Sequence, residues 1–293
     1  ADMPDSLPIW DLTDLYTDSS TSIQLDLDTA KQQTEKLVRY EGHLSQMTGA
    51  KLAAVIADYQ SVSERLSRII SHADLQFAAD MADPQTGQHA QGMKEAISGF
   101  SSQLMFIELE LAAMDEDSFQ EALSDPDFYH FLPWLRRLRA FAPHQLETRL
   151  EQMLVERNPA GRGAWIRLFD ETATALRFAF QGTEVTEAEI LNKLSDPSAD
   201  IRKEAGQSLS GVMQDNQRLF CLILNVIAKD KEIDDRWRGF NRPVSSRNLA
   251  NDVDDATVDA LAGAVTARMP DIAHRYYPVS YTHLTLPTRG FVG

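Results

Sequence analysis

The sequence predicts an all-α protein, mostly helical, carrying one long antiparallel helical hairpin and a single small β-hairpin. Three observations point there. Apolar residues recur at spacings of three and four along 50–79, the same period returns along 88–116, and only 176–185 alternates with a period of two. In the first run Leu52, Val55, Tyr59, Val62, Leu66, Ile69 and Ala73 fall on one side of a helix, with Lys51, Asp58, Glu64 and Arg68 on the rest. In the second, Met93, Ile97, Phe100, Leu104, Ile107, Leu111 and Met114 repeat the pattern. Asp83-Pro84-Gln85-Thr86-Gly87 reads as the turn between them, because Pro stops a helix and Gly tolerates tight backbone. Two seams of similar length joined by a short turn fold most simply as a hairpin. An earlier helix is expected near 28–47, with Leu37, Val38, Leu44 and Met47 packing beside it.

Shorter elements are expected over 117–185. Asp125-Pro126 and Asp196-Pro197 each offer an N-cap acceptor followed by Pro at the first helical position, where its missing N–H costs nothing. Thr186-Glu187-Ala188-Glu189 has the spacing of a capping box. Arg177-Phe178-Ala179-Phe180, then Gln181-Gly182, then Thr183-Glu184-Val185 reads as two strands around a Gly turn. Helices resume after Asp196: one over 218–233 with Leu219, Leu222, Ile223, Val226 and Ile227 as its stripe, and Cys221 within the run as a small core residue. Another spans 255–275 through Val258, Leu261, Val265 and Met269, interrupted by Pro270. From Pro278 the pattern changes. Pro278-Val279-Ser280-Tyr281-Thr282-His283-Leu284-Thr285-Leu286-Pro287-Thr288 is uncharged, β-branched and without helical period, and it resembles translated sequencing adapter. Residues 278–293 are therefore read as a non-native tail and set aside.

Composition narrows the function. The 293 residues hold 28 Lys and Arg against 44 Asp and Glu, a net charge of −16. Nucleic-acid binding and docking on anionic membranes both want a basic excess, so neither partner is expected. One cysteine excludes an intrachain disulfide and a cysteine zinc cluster. No run approaches the ~18 apolar residues of a membrane span, and Ala1-Asp2-Met3-Pro4-Asp5 has no secretory pattern, so a cytoplasmic location is expected.

The chemistry-bearing motifs are absent or weak. A zinc protease helix of the H-E-x-x-H type sets two His one turn apart on one face, with a Glu to polarise water. The His residues stand at 43, 72, 89, 130, 144, 274 and 283; none precedes Glu and no two lie three to five apart. They read as surface or helix-face residues. Gly161-Arg162-Gly163 begins like a dinucleotide loop, but Ile166 takes the third glycine's place and no strand precedes it. Gly206-Gln207-Ser208-Leu209-Ser210 lacks the second Gly of a nucleophile elbow and lies in a helical pattern. Arg236-Trp237-Arg238-Gly239-Phe240, with Arg242 and Arg247, interleaves arginine and aromatic residues, yet 229–255 holds seven acidic residues against six basic ones, so it is expected to pair with itself. Asp252-Val253-Asp254-Asp255 lacks the Gly and the closing Glu of a calcium loop and reads as a helix cap. No residue of this chain is put forward as catalytic or metal-binding.

Three strings are more specific. Leu7-Pro8-Ile9-Trp10-Asp11-Leu12-Thr13-Asp14-Leu15-Tyr16, Arg167-Leu168-Phe169-Asp170-Glu171-Thr172, and Asn225 to Phe240 continuing through Pro243, Ser246-Arg247 and Leu249 to Val253 resemble the oligoendopeptidase F family of zinc metallopeptidases, in the family's order and over nearly all of 4–277. The resemblance implies helical lobes enclosing a channel like a clam, one zinc held by an H-E-x-x-H helix and a distant Glu, and hydrolysis of short peptides. It implies an N-terminal helical lobe over 1–116, a small inserted domain over 117–190 and the start of the catalytic domain over 196–277, with the zinc helix beyond Tyr277. On that reading the chain itself binds no zinc, and the hairpin over 50–116 forms one wall of the peptide channel. Truncated catalytic-domain stripes within 196–277 should then leave apolar surface exposed. The alternative is a non-catalytic helical scaffold or partner-binding module, since sustained seams also make coiled coils.

Overall fold

The computed structural model describes residues 11–17, 19–81 and 83–282. The chain divides into two compact units, one up to Ala164 and one from Trp165.

The first unit is built on three helices: α1 (Ser19–Leu37), α2 (Gly49–Ala79) and α3 (Pro84–Ala113). Ile23, Asp26, Ala30, Thr34 and Leu37 form the buried stripe of α1. On α2 the expected seam is buried throughout except Tyr59, which is half-buried. Helix α3 departs from a one-sided seam. Leu104, Ile107 and Leu111 are buried as expected, but so are Ser102, Phe106, Leu109 and Ala112, because α3 also packs against α6 (Leu132–Phe141) and α7 (Thr148–Arg157). A helix contacted from two sides needs apolar residues around most of its circumference. The core joins Leu37, Leu44, Leu52, Ile56, Val62, Phe106 and Leu111 to Phe119 of α4 (Glu116–Leu123), Phe128 of α5 (Pro126–Tyr129) and Leu135 of α6.

Two boundaries differ from the sequence reading. The helix expected over 28–47 starts at Ser19 and stops at Leu37; two 3₁₀ turns, Val38–Tyr40 and Leu44–Gln46, take over. Gly42 between them has φ +78°, which a helix cannot contain and glycine adopts without strain. At the hairpin turn, Pro84 opens α3 instead of only ending α2: Asp83 caps it, its carboxylate accepting the Gln85 N–H at 2.9 Å. Asp125 caps α5 in the same way through the Asp127 N–H, as the sequence indicates.

The second unit starts with most of α8 (Arg162–Ala175), followed by β1 (Phe178–Phe180) and β2 (Thr183–Val185). The strands pair antiparallel, Phe178 with Val185 and Phe180 with Thr183. Gln181 (φ 50°) and Gly182 (φ 81°) supply the two positive φ angles that a two-residue hairpin turn demands. Phe178 and Phe180 point into a small core with Ile190 of α9 (Glu187–Lys193) and Ala205 of α10 (Ala199–Asp215). The capping box at α9 is present: Glu189 accepts the Thr186 N–H at 2.7 Å, and the Thr186 hydroxyl accepts from the Glu189 N–H. Asp196-Pro197 does not open a helix. Asp196 caps a turn through the Ser198 N–H, and α10 begins two residues after Pro197, because the turn satisfies the aspartate before the helix starts.

Helices α11 (Gln217–Trp237), α12 (Ser245–Ala250), α13 (Asp255–Arg268) and α14 (Ala273–Thr282) complete the described chain. Cys221 is exposed, contrary to the core role expected for it. Ile223 is the buried residue of that stretch, and a residue two positions away on a helix projects about 200° around the axis. The interruption expected at Pro270 separates α13 from α14. Leu222, Leu224, Leu261, Val265, Met269 and Tyr276 are all exposed, matching the apolar surface expected over 196–277. Helical structure does not end at Pro278; α14 runs through it to Thr282, since proline's fixed φ suits a helix and the loss is confined to one hydrogen bond and one steric contact. The rest of the tail, 283–293, lies outside the described residues.

Candidate functional site

Helix positions of α1 and α2 bring together a polar network that crosses the first unit's core. Asp26 occupies a core position of α1 and is 9% exposed. Its carboxylate accepts the Tyr16 hydroxyl at 2.8 Å and pairs with Arg65 of α2, with Arg68 further off at 3.9 Å. The Tyr16 ring meets His72 of α2 edge to face, 5.4 Å between centroids. Burial, the hydrogen bond to Asp26 and its charge push the Tyr16 phenol far above its ordinary range. Burial, and then the neighbouring His89, push the His72 imidazole down. Asp26 is thus the one charged residue on a stripe spaced 23, 26, 30, 34, 37 that is otherwise apolar but for Thr34, a signal visible once α1 is placed from Ser19.

The other face of the hairpin carries a second set. The Tyr59 hydroxyl donates to Glu108 at 2.8 Å beside the Trp134 ring, and burial plus the Glu108 charge raise the Tyr59 phenol well above its ordinary range. Glu110 accepts the N–H groups of Gly42 (2.6 Å) and Leu44 (3.2 Å), tying the 3₁₀ segment to α3. Ser102 donates to Glu156 of α7 at 2.8 Å. These carboxylates are engaged by donors in fixed geometry, which suits positioning of helices rather than proton transfer to a substrate.

In the second unit the segment 229–255 folds on itself through its charges, as expected. Arg236 pairs with Glu232 (3.2 Å), Arg238 with Asp234 (2.7 Å) and Arg242 with Asp255 (3.7 Å); just beyond the segment, Arg242 also grips Asp259 with two bonds of 2.8 and 2.7 Å. Lys231 pairs with the buried Asp235 and reaches Ser246 at 3.0 Å. Asp255 accepts from Ser245 (2.6 Å) and Asn248 (2.7 Å), and Asp254 caps α13 through the Thr257 N–H. Hydrogen bonds hold Asp254, Asp255, Asp259 and Glu232 below the usual carboxylate range.

The histidines are scattered. His43, His130 and His274 are exposed, His89 and His144 half-buried, and His72 is buried, a core placement rather than the surface or helix-face one expected. His283 lies outside the described residues. Among the described residues no group of three or more His, Cys, Asp or Glu is arranged to hold a metal ion. The Gly161-Arg162-Gly163 segment enters α8, and Gly206 to Ser210 is interior to α10, so neither forms a phosphate loop or an elbow. The open grooves of the first unit include one of about 560 Å³ beside Phe119, Tyr129, Arg136 and Arg139, and one of about 590 Å³ beside Leu12, Gln76, Thr86 and His89. Arg139 is committed within the first, bonding the Met114 carbonyl (2.6 Å) and Glu116 (2.7 Å) and covering the Phe119 ring at 4.3 Å. No helix among the described residues is long and apolar enough to cross a membrane.

Similarity to known proteins lies in the stretch from the end of α3 through α8 and in the fold. Residues 110–178 match the family model of oligopeptidase F. That stretch contains the Arg167 to Thr172 string; the strings at 7–16 and 225–253 lie outside it. The fold resembles part of oligoendopeptidase-F from Enterococcus faecium, with a TM-score of 0.80 and 16% identity over 91% of this chain and 54% of that one. A protein of Chlamydophila abortus assigned provisionally as a peptidase gives 0.61 and 14% identity over 94% of this chain and 47% of that one. The chain spans about half the length of these solved structures. No curated protein matches it.

Proposed function

We propose that this chain is the N-terminal part of a zinc-dependent oligoendopeptidase that hydrolyses short peptides in the cytoplasm. The observation that carries the reading is the oligopeptidase F match at 110–178, set in a fold that follows half of an oligoendopeptidase-F. The described residues do not fit a zinc ion, since their histidines are dispersed and no three of their His, Cys, Asp or Glu side chains come together to hold one. No hydrolytic step is therefore assigned to them. Their contribution is shape: the α2–α3 hairpin, its apolar seams packed within the first unit, forms one wall of a peptide channel. A channel narrowed by rigid helices admits extended peptides and turns away folded proteins.

The test is direct. The gene, read in frame past Tyr277, is expected to encode H-E-x-x-H, and its full product to cleave a quenched fluorescent peptide in a chelator-sensitive way. The 293-residue chain alone is expected to hold no stoichiometric zinc and to leave the peptide intact. Chelator-sensitive turnover by the chain alone would place the chemistry within it. A frame with no paired histidines around a glutamate would leave the scaffold reading in its place.

A further inference from the structure

Residues 11–17 lie across the hairpin near its turn. The segment turns on itself through the Tyr16 N–H to the Leu12 carbonyl (3.2 Å). Leu12 borders the groove shared by Gln76, Thr86 and His89, and Tyr16, 7% exposed, packs with Ile23 of α1 and Ile69 of α2. Its two specific anchors are the hydroxyl bond to Asp26 and the edge-to-face contact with His72. His72 is 3% exposed, and its Nδ1 has no hydrogen-bond partner among the described residues.

We propose that residues 11–17 form a strap latched to the α2–α3 hairpin by the Tyr16–His72 contact, and that protonation of His72 releases it. An imidazolium carries N–H donors on both ring nitrogens. Whichever nitrogen gains the proton, the imidazolium holds a donor at Nδ1 that is buried without an acceptor among the described residues, an unfavourable state that opening to water relieves. The charged and titratable groups around the ring add to this. His89 on α3 acts on the ring directly; Arg65 and Arg68 on its own helix are turned toward Asp26 of α1, whose carboxylate Arg65 and the Tyr16 hydroxyl already engage, so it is not free to serve an imidazolium. The Lys94–Asp74 pair (3.0 Å), which bridges α2 and α3, is satisfied within itself. The strap leaves as a unit because Tyr16 is its buried side chain, and its departure uncovers Ile23 and Ile69.

Linkage sets the sign. In the released state His72 is in water and titrates near the ordinary value of about 6.5, while the latched state keeps it neutral to lower pH. The released fraction therefore rises as pH falls below about 6.5, by up to about tenfold per pH unit, and levels off once the latched imidazole also protonates. Hydrogen–deuterium exchange of the 293-residue chain, corrected for the intrinsic pH dependence, is expected to show that rise at residues 12–17 while α3 stays protected. His72→Phe keeps an aromatic ring and cannot protonate; its strap exchange is expected to be flat from pH 7.5 to 5. If that variant fails to fold, an NMR titration of the His72 ring in the unchanged chain decides, since its midpoint must coincide with the strap transition. A strap that responds equally in His72→Phe, one that stays protected while His72 titrates, or a His72 ring that titrates at about 6.5 with the strap in place overturns the proposal.

Discussion

Replacing Asp26 by Ala tests whether the polar network across α1 and α2 stabilises the first unit. The loss has two parts. The Tyr16 hydroxyl, bonded at 2.8 Å and buried, would be left without an acceptor, which costs about 1–2 kcal/mol. Arg65 would lose its counter-charge; stranding a fully buried partner costs ~3–5 kcal/mol, but the Arg65 side chain is 31% exposed and water recovers much of that, leaving about 1–2 kcal/mol. Arg68, at 3.9 Å and half exposed, adds little. The expected total is roughly 2–4 kcal/mol. Urea unfolding read by hydrogen exchange on α1 and α2 peptides reports this unit separately from the other, so the value does not require the whole chain to unfold in one step. Tyr16→Phe alone should cost about 1 kcal/mol, and the double variant should fall short of the sum of the singles by about 1 kcal/mol, because one bond is removed twice. Raising NaCl to about 0.5 M should trim the Arg65 part of the Asp26→Ala loss, since that side chain is partly exposed and its pair is screened, and should leave the Tyr16 part unchanged. A loss below about 1 kcal/mol, or strict additivity with Tyr16→Phe, would refute the assigned role.

Further outcomes follow from the same coordinates. A Cβ at Gly49 would meet the Ala122 carbonyl oxygen and the Asp125 Cβ, each at 2.5 Å, so Gly49→Ala should destabilise the first unit by about 1–3 kcal/mol in chemical denaturation. Gly92→Ala, in α3 with nothing within 4 Å, should instead stabilise by about 0.5–1 kcal/mol. In the second unit Asp254, Asp255, Asp259 and Glu232 are held below the usual carboxylate range, so the stability they contribute is present above the ordinary value of about 4 and is lost as pH falls through their lowered values; exchange protection of α11 to α13 should decline there, and less so in Asp259→Asn. Leu224→Lys and Leu261→Lys replace exposed leucines and should leave stability within about 0.5 kcal/mol while reducing aggregation seen by light scattering.

Local signals are legible in the sequence where one interaction decides the outcome. The seam of α2 needs only a 3.6-residue period and one apolar neighbour, and residues 52 to 73 follow it almost without exception. The capping box at Thr186, the Asp125 cap and the Gln181-Gly182 turn each close within a few residues, so their partners are adjacent in the sequence. The charge balance of 229–255 likewise foretold a segment paired within itself, because most of those pairs span three or four residues along one helix. Gly42 shows where this fails. A periodic apolar pattern continues across it, but its positive φ and the distant Glu110 bonds to Gly42 and Leu44 replace the helix with 3₁₀ turns.

By itself the sequence determined the helical class, the long hairpin and its seams, the single two-stranded turn, and a resemblance whose strings at 7–16 and 225–253 flank the segment matched to oligopeptidase F. Tertiary structure alone decided which polar residues lie in the core. Asp26 and His72 are unremarkable in composition, and only the approach of α1 and the 11–17 strap to α2 places them against Tyr16 and Arg65. It also decided that Cys221 faces outward and that α3 is buried on two sides, since both depend on which helices pack against a given face. Periodicity specifies a helix and the direction of its apolar stripe; it carries no record of what arrives from a hundred residues away to cover the remainder.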